Sequence, residues 1–216
     1  MTYAVLDVES TIKNKGHPFS ESNKLCLIGI RINGHIRICD VEYSDSPYGG
    51  ILEEVRSILS GVDCVVGFNL KFDLNWLARY GCCLPNHVRV FDCQLAEFIL
   101  ANQQSPFPSL DDCLAKYGLG AKSTDVLSGY WNVGIDTPQI PLEIITNYLR
   151  KDLELTDALY QTLLPHVQKS NLGPLVRLHM QDLRVLQEME FHGIRLNWAA
   201  MEQAANKTEE ELNEIN

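Results

Sequence analysis

Asp7 and Glu9 stand two residues apart at the end of a short apolar, β-branched run, Tyr3-Ala4-Val5-Leu6-Asp7-Val8-Glu9. Side chains alternate along a strand, so both carboxylates project onto one face and can clasp a divalent ion. A solvated strand end is the plainer reading of that pair alone. Asp73 closes the segment Gly67-Phe68-Asn69-Leu70-Lys71-Phe72-Asp73, which follows the apolar run Cys64-Val65-Val66 and opens a helical pattern. Its carboxylate then sits in a first helical turn at the carboxyl edge of a sheet, where open α/β sheets commonly place their chemistry. The structural alternative is that Asn69 caps the helix and Asp73 complements its dipole, and the two roles are compatible. Tyr148 and Asp152 lie on a periodic apolar helix that includes Ile144, Ile145, Leu149, Leu153, Leu155 and Leu159. The i, i+4 spacing stacks phenol and carboxylate on one face, where a hydroxyl can orient water beside a metal site; a surface pair is the bland reading.

The elements that must hold these groups are legible as hydrophobic periods. Residues 3–9 read as a strand, and 25–32 and 35–41 flank Asn33-Gly34, the strongest two-residue hairpin signal, so a three-strand meander is expected. Helical spacing over 51–59 precedes a buried strand at 64–68, and a helix over 71–80 ends at Gly81. A short strand at 88–91 enters another helix near Asp92. The pattern predicts an α/β chain with a mixed five-stranded sheet flanked by helices. Further helices are expected over 110–117, from 141 to roughly 164, over 174–191, and over 198–216, with loops at 118–120 and 128–141. The stretch from Ser10 to Lys24 reads as a long polar loop; it is expected to be solvated, with phosphate contact by Lys13, Lys15, His17 and Lys24 as the functional alternative.

Composition narrows the class. At 216 residues with 45% hydrophobic and 21% charged positions, the chain can bury one substantial core. Its seven cysteines form no C-x-x-C pair, which argues against structural zinc and for reduced, buried thiols. No stretch approaches ~20 apolar residues and the start shows no signal-peptide pattern, so a cytoplasmic protein without membrane contact is expected. A formal charge of −10 argues against a broad basic face for duplex nucleic acid, although an acidic balance is also common among soluble proteins. It leaves room for a site where bound metal reverses the sign of its carboxylates.

Taken in order, these segments resemble the DEDD superfamily of 3′-to-5′ exonucleases, in its tyrosine-containing subclass. The D-x-E motif is met by Asp7 and Glu9, N-x-x-F/Y-D by Asn69, Phe72 and Asp73, and Y-x-x-x-D by Tyr148 and Asp152. The segments 91–96 and 109–117 also resemble the family, the former as a helix bordering the cleft. The resemblance implies a ribonuclease-H-like fold over about residues 2–165 and metal-dependent hydrolysis releasing 5′-mononucleotides. Two divalent ions can activate water, stabilise the leaving oxygen and relieve charge on phosphorus, and oxygen-only ligands favour two Mg²⁺, with Mn²⁺ a substitute. By the same resemblance Asp7 bridges the ions, Glu9 and Asp152 complete the first, Asp73 holds the second, and Tyr148 orients the attacking water. Asn69, Phe72 and Trp76 are the candidate substrate contacts, with core packing the alternative for Trp76.

The segment 178–196 resembles the junction between proofreading and polymerase domains in family A, polymerase I type, DNA polymerases, and a phage-type enzyme is compatible with it. The expectation is therefore a 3′-to-5′ exonuclease domain over 1–170 and a helical connector over 171–216 resembling the start of a polymerase domain. A polymerase fragment and a separate subunit are both compatible with where the chain stops. Single-stranded DNA or a frayed 3′ end of duplex DNA is the expected substrate, and a DNA polymerase domain or subunit the expected partner. An RNA exonuclease of ribonuclease D type and an inactive scaffolding domain are the alternatives.

Overall fold

A computed structural model describes residues 1–43, 49–104, 106–121 and 124–215. Strand β1 (Tyr3–Ser10) is followed by the hairpin of β2 (Leu25–Ile32) and β3 (His35–Asp40). Asn33 and Gly34 both adopt positive φ at that turn, which explains why this dipeptide joins the strands. Helix α1 (Gly49–Ser60) crosses to β4 (Cys64–Gly67), and α2 (Leu70–Arg79) crosses to β5 (Arg89–Asp92). Then come α3 (Cys93–Leu100), α4 (Leu110–Tyr117), α5 (Thr124–Asn132), α6 (Leu142–Lys169), α7 (Gly173–His192) and α8 (Trp198–Ile215).

The five strands lie in the order β3-β2-β1-β4-β5. The β3-β2-β1 half is antiparallel and the β1-β4-β5 half parallel, so the sheet is mixed as its sequence pattern requires. Fully buried Ala4, Val5, Ile28, Ile30, Val65 and Val66 form its centre. All seven cysteines are free, and of these only Cys83 is exposed. Among the described residues no helix is long and apolar enough to cross a membrane.

Two expectations are corrected. The segment expected as a loop from Ser128 begins inside α5, because Leu127 docks fully buried into the core and that contact outweighs the loop signal of Ser128-Gly129. The polar stretch after β1 is not a freely solvated loop: Thr11 and Asn23 are buried within it. Asn23 Nδ2 donates to the carbonyls of Lys13 and His17 at 2.7 and 3.0 Å. The core also continues past residue 170, since Val176, Met180 and Leu183 of α7 are buried in it, whereas α8 buries nothing.

Helix α6 crosses the sheet where β2 carries Gly29, whose strand partner is Asp7. A Cβ at Gly29 would lie 2.8 Å from Leu153 Cδ1 and 2.9 Å from Leu149 Cγ. Glycine at this position lets the helix approach closely enough for its flanking residues to reach the end of β1. A second tie is ionic: Asp157 of α6, buried, accepts from Arg31 Nε at 2.8 Å and from the Tyr3 hydroxyl at 2.7 Å. Gly29→Ala should therefore push α6 outward and lower unfolding stability by about 1–3 kcal/mol in a denaturant titration, the range for overpacking a closed core; an unchanged midpoint would show that the contact yields freely.

Candidate active site

β1 pairs with β2 as far as Ser10, with a register shift between Glu9 and Ser10, but its parallel pairing with β4 stops at Val5 opposite Val66. Past Val5 its β4 side is open to α2. Asp73 closes it: Oδ1 accepts the Val8 N–H at 3.0 Å, so a buried carboxylate satisfies a backbone donor that no strand reaches. This fixes Asp73 beside Asp7. Burial first, and the charge of Asp7 second, push the Asp73 carboxyl well above its ordinary value.

From the other side α6 supplies Tyr148 and Asp152, the latter buried. Burial is the largest cause of the raised Tyr148 pKa, followed by the negative charge of Asp152 and then of Glu9, with a hydrogen bond to Asp152 and the charge of Asp7 adding to it. The structure thus gathers Asp7, Glu9, Asp73, Tyr148 and Asp152 into one neighbourhood.

The expected substrate contacts divide. Asn69 is exposed at the cap position of α2 in a left-handed conformation (φ 57°), and its side chain makes no cap hydrogen bond. The capping expected of Asn69 is supplied by Asp92, whose Oδ2 accepts the Leu70 N–H at 2.8 Å. Its Oδ1 accepts Gln94 and Leu95 N–H at 2.9 and 3.1 Å, so one buried carboxylate joins the starts of α2 and α3. Phe72 is half-buried beside Gly16. Trp76 has no exposed surface, and its indole N–H donates to the Gly16 carbonyl at 3.1 Å. It anchors the chain after β1 and offers no face for a base.

That chain is anchored from two directions. Arg79 of α2 donates to the carbonyls of Pro18 and Ser20 at 2.6 and 2.8 Å. Across the cleft, Asp136 Oδ1 accepts the Ile12 N–H at 2.8 Å and the Thr137 hydroxyl donates to the Ser10 carbonyl at 2.7 Å. Asp136 and Thr137 therefore clamp the residues that directly follow Glu9. Their signal was present in the sequence as the capping pattern Asp136-x-x-Gln139, which forms a reciprocal capping box in the structure.

The donor set suits a hard divalent cation. It is made of carboxylate oxygens, and a cation there would offset both the burial and the charge of Asp7 that raise Asp73. Among the described residues no three His, Cys, Asp or Glu form a closed cage. Mg²⁺ is commonly held by one or two carboxylates, with water and substrate phosphate completing its shell, so an open set fits it.

Sheet order, flanking helices and the acidic edge define a ribonuclease-H-like fold. Within it, the 3′-5′ exonuclease family model matches residues 1–168, and the chain belongs to that family, whose activity depends on divalent metal. The protein is thus a 3′-5′ exonuclease, a hydrolase of phosphodiester bonds. Its fold is similar to Brucella melitensis NrnC with bound Mg²⁺, with a TM-score of 0.65 and 15% identity over 88% of this chain and 86% of that one. Escherichia coli RNase D, an exoribonuclease involved in structured RNA processing, gives 0.64 and 15% over 89% of this chain and 46% of its own. The family B DNA polymerase of the archaeon Pyrobaculum calidifontis gives 0.55 and 16% over 76% and 25%. No curated protein sequence matches the chain.

Because the Asp73 carboxyl binds its proton more tightly when folded than when unfolded, its ionisation opposes folding. Its unfavourable contribution is absent below the ordinary carboxylate range and grows as pH rises toward the folded value. Asp73→Asn keeps an acceptor for Val8 N–H while removing the charge. In EDTA, the variant should melt above the wild type at pH 8, and the gap should shrink as pH falls toward 4; a gap independent of pH would refute the raised Asp73 value.

Proposed function

We propose that the protein is a 3′-5′ DNA exonuclease of proofreading type that releases 5′-mononucleotides. The observation that carries this reading is the convergence of Asp7, Glu9 and Asp73 from the sheet edge with Tyr148 and Asp152 from α6, within a 3′-5′ exonuclease family chain. Asp7, Glu9, Asp73 and Asp152 would hold two Mg²⁺, or Mn²⁺ in their place. When bound, these ions supply charge neutralisation on the phosphate and lower the pKa of water.

The chain's own groups do the rest. Tyr148 keeps its proton throughout the physiological range, because burial and three neighbouring carboxylates disfavour its phenolate. It is a hydrogen-bond donor that orients the nucleophile, and proton removal is not its role. Asn69, exposed at the start of α2, and the half-buried Phe72 stand on the same helical start as Asp73 and are the proposed contacts for a terminal nucleotide. A frayed 3′ end, cheapest to separate when mismatched, suits a cleft that takes single strands.

The choice of DNA rests on the resemblance of 178–196 to a polymerase junction. Leu178, Val185, Leu186 and Met189 on α7, with Ile194 and Trp198 beyond it, are exposed. An apolar surface of that kind fits a DNA polymerase domain or subunit as partner. A second reading, RNA trimming, is favoured by the similarity of fold to RNase D.

With Mg²⁺, 3′-labelled single-stranded DNA should yield mononucleotides, and no release with either Mg²⁺ or Mn²⁺ would end the enzymatic reading. Asp7→Ala should abolish release, while Tyr148→Phe should lower kcat by about 10²-fold with little change in KM, as expected for loss of orientation. Matched DNA and RNA oligonucleotides of one sequence discriminate the substrates: faster loss of RNA would replace the DNA reading with the trimming one.

A further inference from the structure

A cavity of about 770 Å³ lies between β5, the C-terminal half of α6 and the N-terminal half of α7. Cys64 and Arg89, the first residues of β4 and β5, line it, whereas the cluster of carboxylates adjoins the opposite ends of the strands. Its volume falls within the roughly 300–1,000 Å³ of small-molecule sites.

Three kinds of group face it. Val90, Phe91, Tyr160 and Leu164 form an apolar wall, with the Phe91 and Tyr160 rings edge to face at 5.0 Å. Four carboxamides, Asn86, Gln168, Asn171 and Gln181, offer paired donors and acceptors. Arg89, Arg177 and Arg184 supply positive charge, and among the described lining residues there is no Asp or Glu, on a chain of formal charge −10.

Arg184 is committed to the backbone, donating to the carbonyls of Leu84, Pro85 and Val88 at 2.8 to 3.0 Å. Arg89 donates to the Met1 sulfur at 3.3 Å and its charge is felt at Asp63, Cys64 and Tyr160, while Asp63 itself accepts from the Thr2 N–H and hydroxyl. Among the described residues no carboxylate forms an ion pair with Arg89 or Arg177.

We propose that this cavity is a second, non-catalytic site that binds a nucleoside monophosphate. The heterocycle lies along the apolar wall, its polar edge meets the carboxamides, and the phosphate sits at Arg89 and Arg177. Guanidinium forks match phosphate oxygens, and carboxamides match the mixed donors and acceptors of a base. A fatty acid would leave the carboxamides unused, and a neutral apolar ligand would leave the arginines unused. The site does not depend on which polymer the catalytic cleft degrades. Tyr160 lies two helical turns, about 12 Å, beyond Asp152 on α6, so the two sites share a helix without sharing residues.

The probe is dAMP, titrated calorimetrically into the full chain in EDTA. Saturable binding at one site per chain is expected, at least about tenfold tighter than adenosine, because the phosphate is charge-paired. Arg177→Glu, at an exposed position, should weaken dAMP by at least about tenfold while the far-UV circular dichroism stays unchanged. Leu164→Trp, which fills the cavity, should remove binding, and Asp7→Ala should leave it intact. Absence of saturable binding, equal affinity in wild type and Arg177→Glu, loss of binding in Asp7→Ala, or displacement of dAMP by decanoate would each overturn the assignment. Failure here leaves the exonuclease assay untouched, so the two results are separable.

Discussion

Carboxylates from three distant stretches of chain are brought close together against their mutual repulsion, and the surrounding contacts can be understood as what holds them there. The cost is visible at Asp73, whose burial and proximity to Asp7 disfavour its charge. Backbone hydrogen bonds partly offset it. Asp73 accepts the Val8 N–H, α2 starts on Asp92, and β1 is held on one side by β2 and partway along the other by β4. Each tie fixes a carboxylate through the backbone, which sets where it stands whether or not its charge is neutralised.

The same logic explains α6. A helix carrying Tyr148 and Asp152 contributes to the cluster only if it lies low on the sheet, and Gly29 opposite Asp7 makes room for Leu149 and Leu153. Asp157 and Arg31 then hold the helix from its other half. The neighbouring chain is fixed as firmly: Asp136 and Thr137 clamp residues after Glu9, while Trp76 and Arg79 secure the stretch beyond. Packing in one layer thereby sets electrostatics in another, because interiors at crystal-like density deform little.

How much of this was legible in the sequence depends on the range of the interaction. Strand alternation in 3–9, the Asn33-Gly34 turn and the 3.6-residue period through Leu149, Leu153 and Leu159 are local signals, and the sheet and helices followed from them. The pairing of Asp7, Asp73 and Asp152 is not local; it became readable only through the order of three motifs. Trp76 shows the limit. Its position on a helix face was compatible with a base contact or with core, and only the Gly16 carbonyl decides between them. Likewise Ser128-Gly129 has loop composition but helical structure, since Leu127 needs a buried partner. Gly29 within a strand and Asp136-x-x-Gln139 before a helix were visible hints of close approach and capping, yet neither says what it approaches or caps.

Net charge illustrates why a global number says little about a local site. A chain of −10 repels a polyanion at long range, but that repulsion is screened beyond about 10 Å at moderate salt. Recognition of a phosphate is decided within that distance, by whatever stands there. In the cleft, divalent ions held by the carboxylates would supply the positive charge that meets a phosphate there. On the proposed function, that charge would be present only with metal bound, which would tie substrate affinity and catalysis to one event. Cations placed directly by the chain, such as Arg89 and Arg177, hold their charge without metal and are separated from the cleft by the length of the strands. The proposed nucleotide cavity and the carboxylate cluster thus differ in how each would meet a phosphate, one through arginines and the other through metal, and β4 keeps them apart, with Cys64 at its start lining the cavity and Asp73 following its end on α2.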